Sequence, residues 1–257
     1  MLMVGGCSDL VTLFASRGIS TAILRCRLRS DGYDMAVDGL HDTLQAILLV
    51  RANASRWGLD PARIGCVGMS AGAEHAAGVA TEFVEYANNT VHRRHVSARP
   101  DFVGVLFTGP TLFEADPALD EEGGGRYAGM SEQGAEGQAN NDAQTVAERA
   151  GRSGPPTIPP DCPPSFVASA GPGDKIHAAW SVSYFSAMLY AGVPNAEIHL
   201  YARGRHGQLP AGVDGVGPWT DRLLEWLGVL GFLGAAGEET AAARNVAARV
   251  GGGHVPQ

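Results

Sequence analysis

The sequence predicts an α/β protein in which a mostly parallel sheet carries helices on both of its faces. Three observations indicate this fold class. Short apolar runs typical of strands alternate with longer stretches that have helical periodicity. A serine flanked by glycines stands between one such strand and the helix that follows it. The length of 257 residues suits one domain with a single sizeable core, and no internal repeat is visible.

Each element follows from its own local pattern. Strands are predicted at 2–4, 19–24, 63–68, 102–107, 165–169 and 196–201, and of these 19–24, 102–107, 165–169 and 196–201 have the continuous apolar character of buried strands. Helices are predicted where apolar residues recur every three or four positions, at 9–17, 35–57, 73–86, 179–190 and 219–232. Gly18 ends the first helix, and Asp60-Pro61 breaks the chain after the second.

Composition indicates how the chain is divided. We assign residues 1–234 to one domain and residues 235–257 to a loosely attached tail rich in Ala and Gly, in which 238–250 has the composition to form a helix. Residues 114–164 are rich in Gly, Pro, Glu, Gln and Asn and lack apolar periodicity. A stretch of this length inside a domain is either a lid or a disordered insertion, and its composition favours disorder.

Charge and hydropathy exclude several function classes. The 19 Lys and Arg against 27 Asp and Glu give a net charge of −8, unlike the basic surface that nucleic acid requires. No long apolar run predicts a membrane span, and the N-terminus lacks the features of a signal peptide, so by default we expect a cytoplasmic protein without a membrane partner. The four scattered cysteines lack the spacing of a zinc site or a disulfide framework, and we expect no metal. The oligomeric state stays open.

The strongest chemical signal is the G-x-S-x-G run Gly68-Met69-Ser70-Ala71-Gly72. Between a strand and a helix, such a serine lies on a sharp turn, and the residues two before and two after it must be small so that the backbones can approach. Gly68 and Gly72 meet this requirement. The amide of Ala71, at the positive end of the helix, can donate to a developing oxyanion. Ser70 is the candidate nucleophile, and the structural alternative is a helix-capping serine in a glycine-rich turn.

A serine nucleophile needs a base to take its proton. Where the serine lies in a G-x-S-x-G turn, this base is a histidine that follows both the serine and the acid in the chain. His206 lies in a loop flanked by glycines directly after the strand that ends at Tyr201. In contrast, His199 lies within that strand, His177 opens a helix, and His254 belongs to the tail. His206 is therefore the candidate general base, and the alternative is an ordinary exposed loop histidine.

The third member of a triad orients the imidazole and stabilises the imidazolium. Asp174 lies in the loop that follows the strand 165–169 and precedes a helix. This is the loop on which the acid of such a triad is expected. Asp161 precedes the same strand and should lie at the opposite end of the sheet. We predict Asp174 as the acid, and the alternative is a turn or helix-capping aspartate.

Several segments resemble the α/β-hydrolase esterases grouped with acetylxylan and feruloyl esterases. They keep the order of that family over most of residues 2–230 apart from the insertion, and they are Gly5-Gly6, 24–28, 60–65, 68–72, 98–102, 191–194 and 204–207. The resemblance implies an α/β-hydrolase fold, no cofactor, and a carboxylic ester substrate, commonly an acyl group on a sugar or polysaccharide.

The sequence departs from that family at three places. Where the family has a Gly-Gly-Gly turn whose amides help to bind the oxyanion, the third position here is Cys7, so the resemblance implies Gly6 or Cys7 as a second backbone donor. The opening strands of the fold are missing from the chain. An ungapped comparison puts the family's catalytic aspartate on Gly173, one residue before Asp174.

Two hypotheses from different classes follow. The first is an active serine esterase that uses Ser70, His206 and Asp174. The second is a non-catalytic α/β-hydrolase-like binding protein, which a wide gap between Asp174 and His206 would favour. Peptidase or acyltransferase activity also stays open, because the same three residue types serve all of these chemistries.

Overall fold

The computed structural model describes residues 2–4, 8–89, 96–109, 157–207 and 219–252. Within these ranges the strands are β1 (Leu2–Val4), β2 (Ala22–Leu24), β3 (Cys66–Met69), β4 (Val103–Leu106), β5 (Ser165–Ala170) and β6 (Glu197–Tyr201). They form one sheet in the order β2-β1-β3-β4-β5-β6, and every pair of neighbours is parallel. The predicted parallel sheet is confirmed.

Helices accompany the strands, because parallel neighbours need crossover connections. They are α1 (Ser8–Ser16), α2 (Leu40–Ala52), α3 (Ala54–Trp57), α4 (Ala71–Asn89), α5 (Lys175–Tyr190), α6 (Trp219–Val229) and α7 (Ala241–Val250). A 3₁₀ turn (Arg29–Asp31) and a π-helical turn (Met35–Gly39) lie before α2. The predicted single helix 35–57 is thus divided. One break falls at Asn53, whose side chain donates to the Leu49 carbonyl, a local bond that competes with the helical ladder.

The core has two halves, one on each face of the sheet. Successive strand residues point to opposite faces. Cys66 packs with the cluster formed by α2, α4 and α5, whereas its neighbour Val67 packs with the cluster formed by α1 and α6. Val167 and Phe166 divide in the same way. The predicted arrangement of helices on both faces is therefore confirmed.

Two strands predicted as buried lie at the edges of the described sheet. Ile23 of β2 is 47% exposed, and Leu200 of β6 is also 47% exposed. Each of these strands has only one strand neighbour among the described residues. The prediction was wrong because an apolar run has the same appearance in sequence whether its strand is central or at an edge.

The segment after Gly234 is held more firmly than we expected. Helix α7 forms within the range proposed for it, and its Val246 is only 8% exposed. The Arg249 guanidinium donates to the carbonyls of Pro159 and Ala191 at 2.9 and 2.8 Å. The described part of this tail is therefore tied to the rest of the chain, because distant backbone carbonyls provide acceptors that the local sequence does not reveal.

The predicted insertion 114–164 is only partly described. Residues 110–156 lie outside the described residues, so the expectation of a lid or a disordered segment remains a prediction there. Residues 157–164 are described, and Cys162 among them is fully buried. The last residues of the predicted insertion therefore contribute to the core, and the bounds of the insertion remain a prediction. Among the described helices, none combines the length and apolar character needed to cross a bilayer.

Candidate active site

Ser70 lies on a tight turn between β3 and α4. Its φ of 56° is left-handed, a conformation that non-glycine residues adopt rarely and that occurs at strained functional positions. A Cβ on Gly68 would come within 1.8 Å of the Gly72 carbonyl oxygen, so only glycine allows the two backbone segments to approach this closely. The Ser70 amide also donates to the Leu106 carbonyl of β4 at 2.9 Å. The turn therefore directs the serine side chain out from the carboxyl end of β3.

Asp174 and His206 come to the same edge of the sheet from two neighbouring loops. The first loop follows β5 and the second follows β6, and the carboxyl ends of parallel strands share one edge. The two loops are in close contact, because a Cβ on Gly173 would lie 1.9 Å from the Gly204 carbonyl oxygen. An aspartate at position 173 has no room in this arrangement. This contact gives a physical reason for the predicted acid to be Asp174, one residue after the position that the ungapped comparison indicates.

The three predicted side chains form one hydrogen-bonded chain. Nδ1 of His206 lies 3.0 Å from Oδ2 of Asp174, and Nε2 of His206 lies 2.8 Å from Oγ of Ser70. An ionised carboxylate can only accept, so Nδ1 carries the proton and donates it. Nε2 of the neutral ring is then the acceptor for the Ser70 hydroxyl. This tautomer is the one that a general base needs.

The Asp174 carboxyl is partly buried, with a side chain that is 9% exposed. Burial by itself raises the pKa of this group, but the hydrogen bonds from His177 and His206 outweigh burial and hold the pKa below its usual value. Asp174 occupies the N-cap position of α5, yet its side chain makes no capping hydrogen bond. Its oxygens instead face two imidazoles, an arrangement that a simple helix cap does not require.

His177 is the contact that sequence reasoning missed. Its Nδ1 lies 2.6 Å from Oδ1 of Asp174, and its ring stacks on that of His206 with centroids 3.8 Å apart and 29° between the planes. The sequence pattern predicts for His177 only a place at the start of a helix. The available signal was its spacing, because residues three apart share one face of a helical turn. Asp174, His177 and His206 also place three donor atoms within 4.8 Å of one another, so these residues have the composition to hold a metal ion.

Phe107 forms one wall beside the imidazole. It follows β4 directly, has a left-handed φ of 52°, and is 1% exposed. Its ring meets the His206 ring edge-on, with centroids 6.1 Å apart and 82° between the planes. His206 is therefore held between Phe107 on one side and His177 on another. Nothing in the sequence singled out Phe107.

Of the predicted oxyanion donors, Ala71 belongs to the described residues, whereas Gly6 and Cys7 do not. Ala71 is the first residue of α4, so its amide belongs to the first turn, where N–H groups have no acceptor within the helix. Gly6 and Cys7 lie outside the described residues, and their assignment remains a prediction. Asp161 precedes β5 and so lies at the opposite end of the strand from Asp174, as we expected.

Of the comparisons with known proteins, only the one with solved structures finds relatives of this chain. No family model matches the chain, and no curated protein sequence matches it. Solved structures do match it. An acetyl ester-xyloside bifunctional hydrolase from Caldicellulosiruptor lactoaceticus is 25% identical with a TM-score of 0.68, over 91% of this chain and 84% of that one.

Two further structures lie at lower identity. The thermophilic esterase 2 from Thermogutta terrifontis is 20% identical with a TM-score of 0.64, over 92% of this chain and 84% of that one. A carboxylesterase from Lactobacillus plantarum is 21% identical with a TM-score of 0.64, over 91% of this chain and 87% of that one. The chain has the α/β-hydrolase fold, and the predicted resemblance to esterases of that fold is confirmed.

Proposed function

We propose that this protein is a serine carboxylic-ester hydrolase in which Ser70 is the nucleophile, His206 the general base and Asp174 the orienting acid. One observation carries this proposal: His206 lies within hydrogen-bond distance of Ser70 through one ring nitrogen and of Asp174 through the other. A wide gap between Asp174 and His206 would have favoured a non-catalytic binding protein. The distance of 3.0 Å between the Asp174 carboxylate and Nδ1 of His206 favours an enzyme instead.

In the first half of the reaction, Oγ of Ser70 attacks the ester carbonyl carbon while Nε2 of His206 takes the hydroxyl proton. The imidazolium that results is stabilised by the Asp174 carboxylate. Negative charge moves onto the carbonyl oxygen, where the Ala71 amide and the dipole of α4 favour it. The amide of Gly6 or Cys7 is the proposed second donor.

The tetrahedral intermediate then collapses, and the bond to the leaving alcohol breaks. The proton on Nε2 of His206 passes to the departing oxygen, which leaves an acyl group on Ser70. A water molecule then attacks the acyl carbon while Nε2 of His206 takes its proton. The bond between that carbon and Oγ of Ser70 breaks, His206 returns the proton to Oγ, and the carboxylic acid leaves. No step requires a redox partner or a metal ion.

The substrate that we propose is a small or carbohydrate ester. Two kinds of support favour this class. The sequence resembles acetylxylan and feruloyl esterases, and one structural neighbour is an acetyl ester-xyloside hydrolase. Another neighbour, the Thermogutta terrifontis esterase, has been solved with propionate and with butyrate bound. Short acyl groups on a sugar are thus the first substrates to test.

The catalytic part of the proposal is tested by hydrolysis of p-nitrophenyl acetate. We expect turnover by the wild-type protein and a loss of several orders of magnitude in kcat for Ser70→Ala, because triad members act as a unit. Ser55→Ala removes an exposed hydroxyl on the short helix α3 and serves as the matched control. A folded wild-type protein with no more activity than Ser70→Ala would overturn the proposal.

The substrate class is tested separately with a panel of esters. It contains acetylated and feruloylated xylosides beside p-nitrophenyl acetate, propionate and butyrate. A kcat/KM that is higher for an acylated xyloside than for the simple esters would support the carbohydrate assignment. If the simple esters are preferred throughout, the protein is a general short-chain esterase and the carbohydrate assignment fails.

A further inference from the structure

Beside the proposed nucleophile, three side chains converge on a small volume that a metal ion could fill. The Asp174 carboxylate contacts both stacked imidazoles, with His177 Nδ1 2.6 Å from one oxygen and His206 Nδ1 3.0 Å from the other. The potential ligand atoms of all three residues lie within 4.8 Å of one another. Two imidazoles and one carboxylate are a typical zinc donor set, with water in the fourth position.

We infer that Asp174, His177 and His206 form a binding site for a divalent transition-metal ion such as Zn²⁺, and that occupation of this site switches the proposed base off. The metal site itself does not depend on the proposed function, whereas its inhibitory effect rests on it. The positions of the three residues in the sequence do not indicate a metal site, because His206 lies on a different loop from Asp174 and His177.

The geometry requires only small movements of the side chains. With bonds of about 2.0 to 2.2 Å, ligand atoms around a tetrahedral zinc ion lie roughly 3.4 Å apart. The hydrogen-bonded pairs would open by less than an ångström, and a pair of ligand atoms at the 4.8 Å limit would close by about 1.4 Å. The stacked rings already direct both Nδ1 atoms towards the same carboxylate. An ion can enter from solvent, since the His206 side chain is 35% exposed.

The inhibitory effect follows from the position of one proton. Without a metal, Nδ1 of His206 carries the proton and Nε2 is free to accept from Ser70. A metal bound at Nδ1 requires the lone pair of that nitrogen, so the single proton of the neutral ring moves to Nε2 through solvent. Nε2 then donates towards Ser70 and can no longer take the serine proton. At the same time the Asp174 carboxylate binds the metal ion and no longer accepts the hydrogen bond from Nδ1 of His206.

The choice of metal follows from the ligands. Imidazole nitrogen suits zinc, copper and nickel, whereas Mg²⁺ and Ca²⁺ prefer sites built wholly from oxygen. One carboxylate between two rings offers too few oxygens for the latter pair. The site is therefore expected to discriminate sharply between Zn²⁺ and Mg²⁺.

Calorimetry on the Ser70→Ala variant, with any affinity tag removed, tests the site independently of activity. We expect saturable binding of one Zn²⁺ per chain and no binding of Mg²⁺. Adding His177→Gln to that variant should weaken Zn²⁺ binding by at least about tenfold, since loss of even an indirect partner costs that much. His199→Gln is the matched control, because His199 pairs with Glu197 outside this cluster and should leave binding unchanged.

Inhibition is the second readout. Zn²⁺ should inhibit wild-type ester hydrolysis, and EDTA should restore it. The inhibitory concentration for His177→Gln, measured against that variant's own metal-free rate, should rise by at least about tenfold. Absence of saturable binding, or unchanged affinity after His177→Gln, would overturn the metal site. Zinc binding by a protein that never hydrolyses an ester would overturn the proposed function and leave the metal site standing.

Discussion

Replacing Asp174 with asparagine removes one charge and almost no volume, so it isolates the electrostatic part of the proposed mechanism. The Asp174 carboxylate lies 3.0 Å from Nδ1 of His206. At that distance and an effective dielectric constant of about 20, its attraction for an imidazolium is about 5.5 kcal/mol. The His206 side chain is 35% exposed, and solvent screening reduces this to roughly 3 to 5 kcal/mol. The expected fall in kcat is therefore about 10² to 10⁴.

The asparagine also has to satisfy two rings at once. Its amide oxygen can accept from one imidazole, but its NH₂ group then faces the other. If His206 meets the NH₂ group, its proton moves to Nε2 and the ring can no longer accept from Ser70. If His177 meets it instead, His206 keeps its tautomer but loses the stabilising charge. Both arrangements lower the rate of the chemical step.

The assay is the pre-steady-state and steady-state hydrolysis of p-nitrophenyl acetate, with the thermal midpoint measured beside it. Asp161→Asn is the matched control, because it removes the same charge at the opposite end of β5 from a side chain that is 45% exposed. We expect the control to keep kcat within about twofold. A well-folded Asp174→Asn protein with a third or more of the wild-type kcat would refute the role assigned to this carboxylate.

Two further predictions concern a glycine of the Ser70 turn and the ion pair between Arg27 and Asp42. Gly68→Ala would bring a Cβ within 1.8 Å of the Gly72 carbonyl oxygen, so we expect the free energy of unfolding to fall by about 2 kcal/mol or more. Gly228→Ala is the control, because the nearest neighbouring atom to its new Cβ would lie at 3.9 Å. In a thermal melt this control should be neutral or slightly stabilising. Equal midpoints for the two variants would contradict the steric explanation. Hydrogen bonds from Arg27 hold the pKa of Asp42 below its usual value. Their stabilisation is therefore present above the unfolded-state pKa of about 4 and disappears as pH falls through the folded-state pKa. Urea unfolding should show Arg27→Gln less stable than the wild type at pH 7, and the difference should shrink as the pH falls below the unfolded-state pKa of Asp42. A difference that does not change with pH would contradict this.

The candidate site was predictable from the sequence to the extent that its chemistry is local. The turn at Ser70 could be predicted because Gly68 and Gly72 are needed by the close approach of a strand and a helix. His206 followed from its place after the last strand. Asp174 was harder to assign, since its one-residue displacement depends on the contact between Gly173 and Gly204, which joins two distant loops.

The features that sequence reasoning missed all depend on contacts between distant segments. His177 acquires its place only when His206 folds back over it, and Phe107 becomes a wall of the site for the same reason. The exposure of β2 and β6 depends on which strands lie beside them, which a single apolar run does not encode. The attachment of α7 depends on Arg249 reaching backbone carbonyls far along the chain. A pattern in sequence predicts an element, but its neighbours follow from the topology.

The central claim is that Ser70 is a nucleophile activated by His206, and labelling with a fluorophosphonate measures this directly. We expect a single covalent adduct that peptide mass spectrometry maps to Ser70. Its rate of formation should fall by about 10² or more in His206→Ala, because the serine then lacks its base. An adduct on another residue, no adduct at all, or an unchanged rate in His206→Ala would contradict the claim.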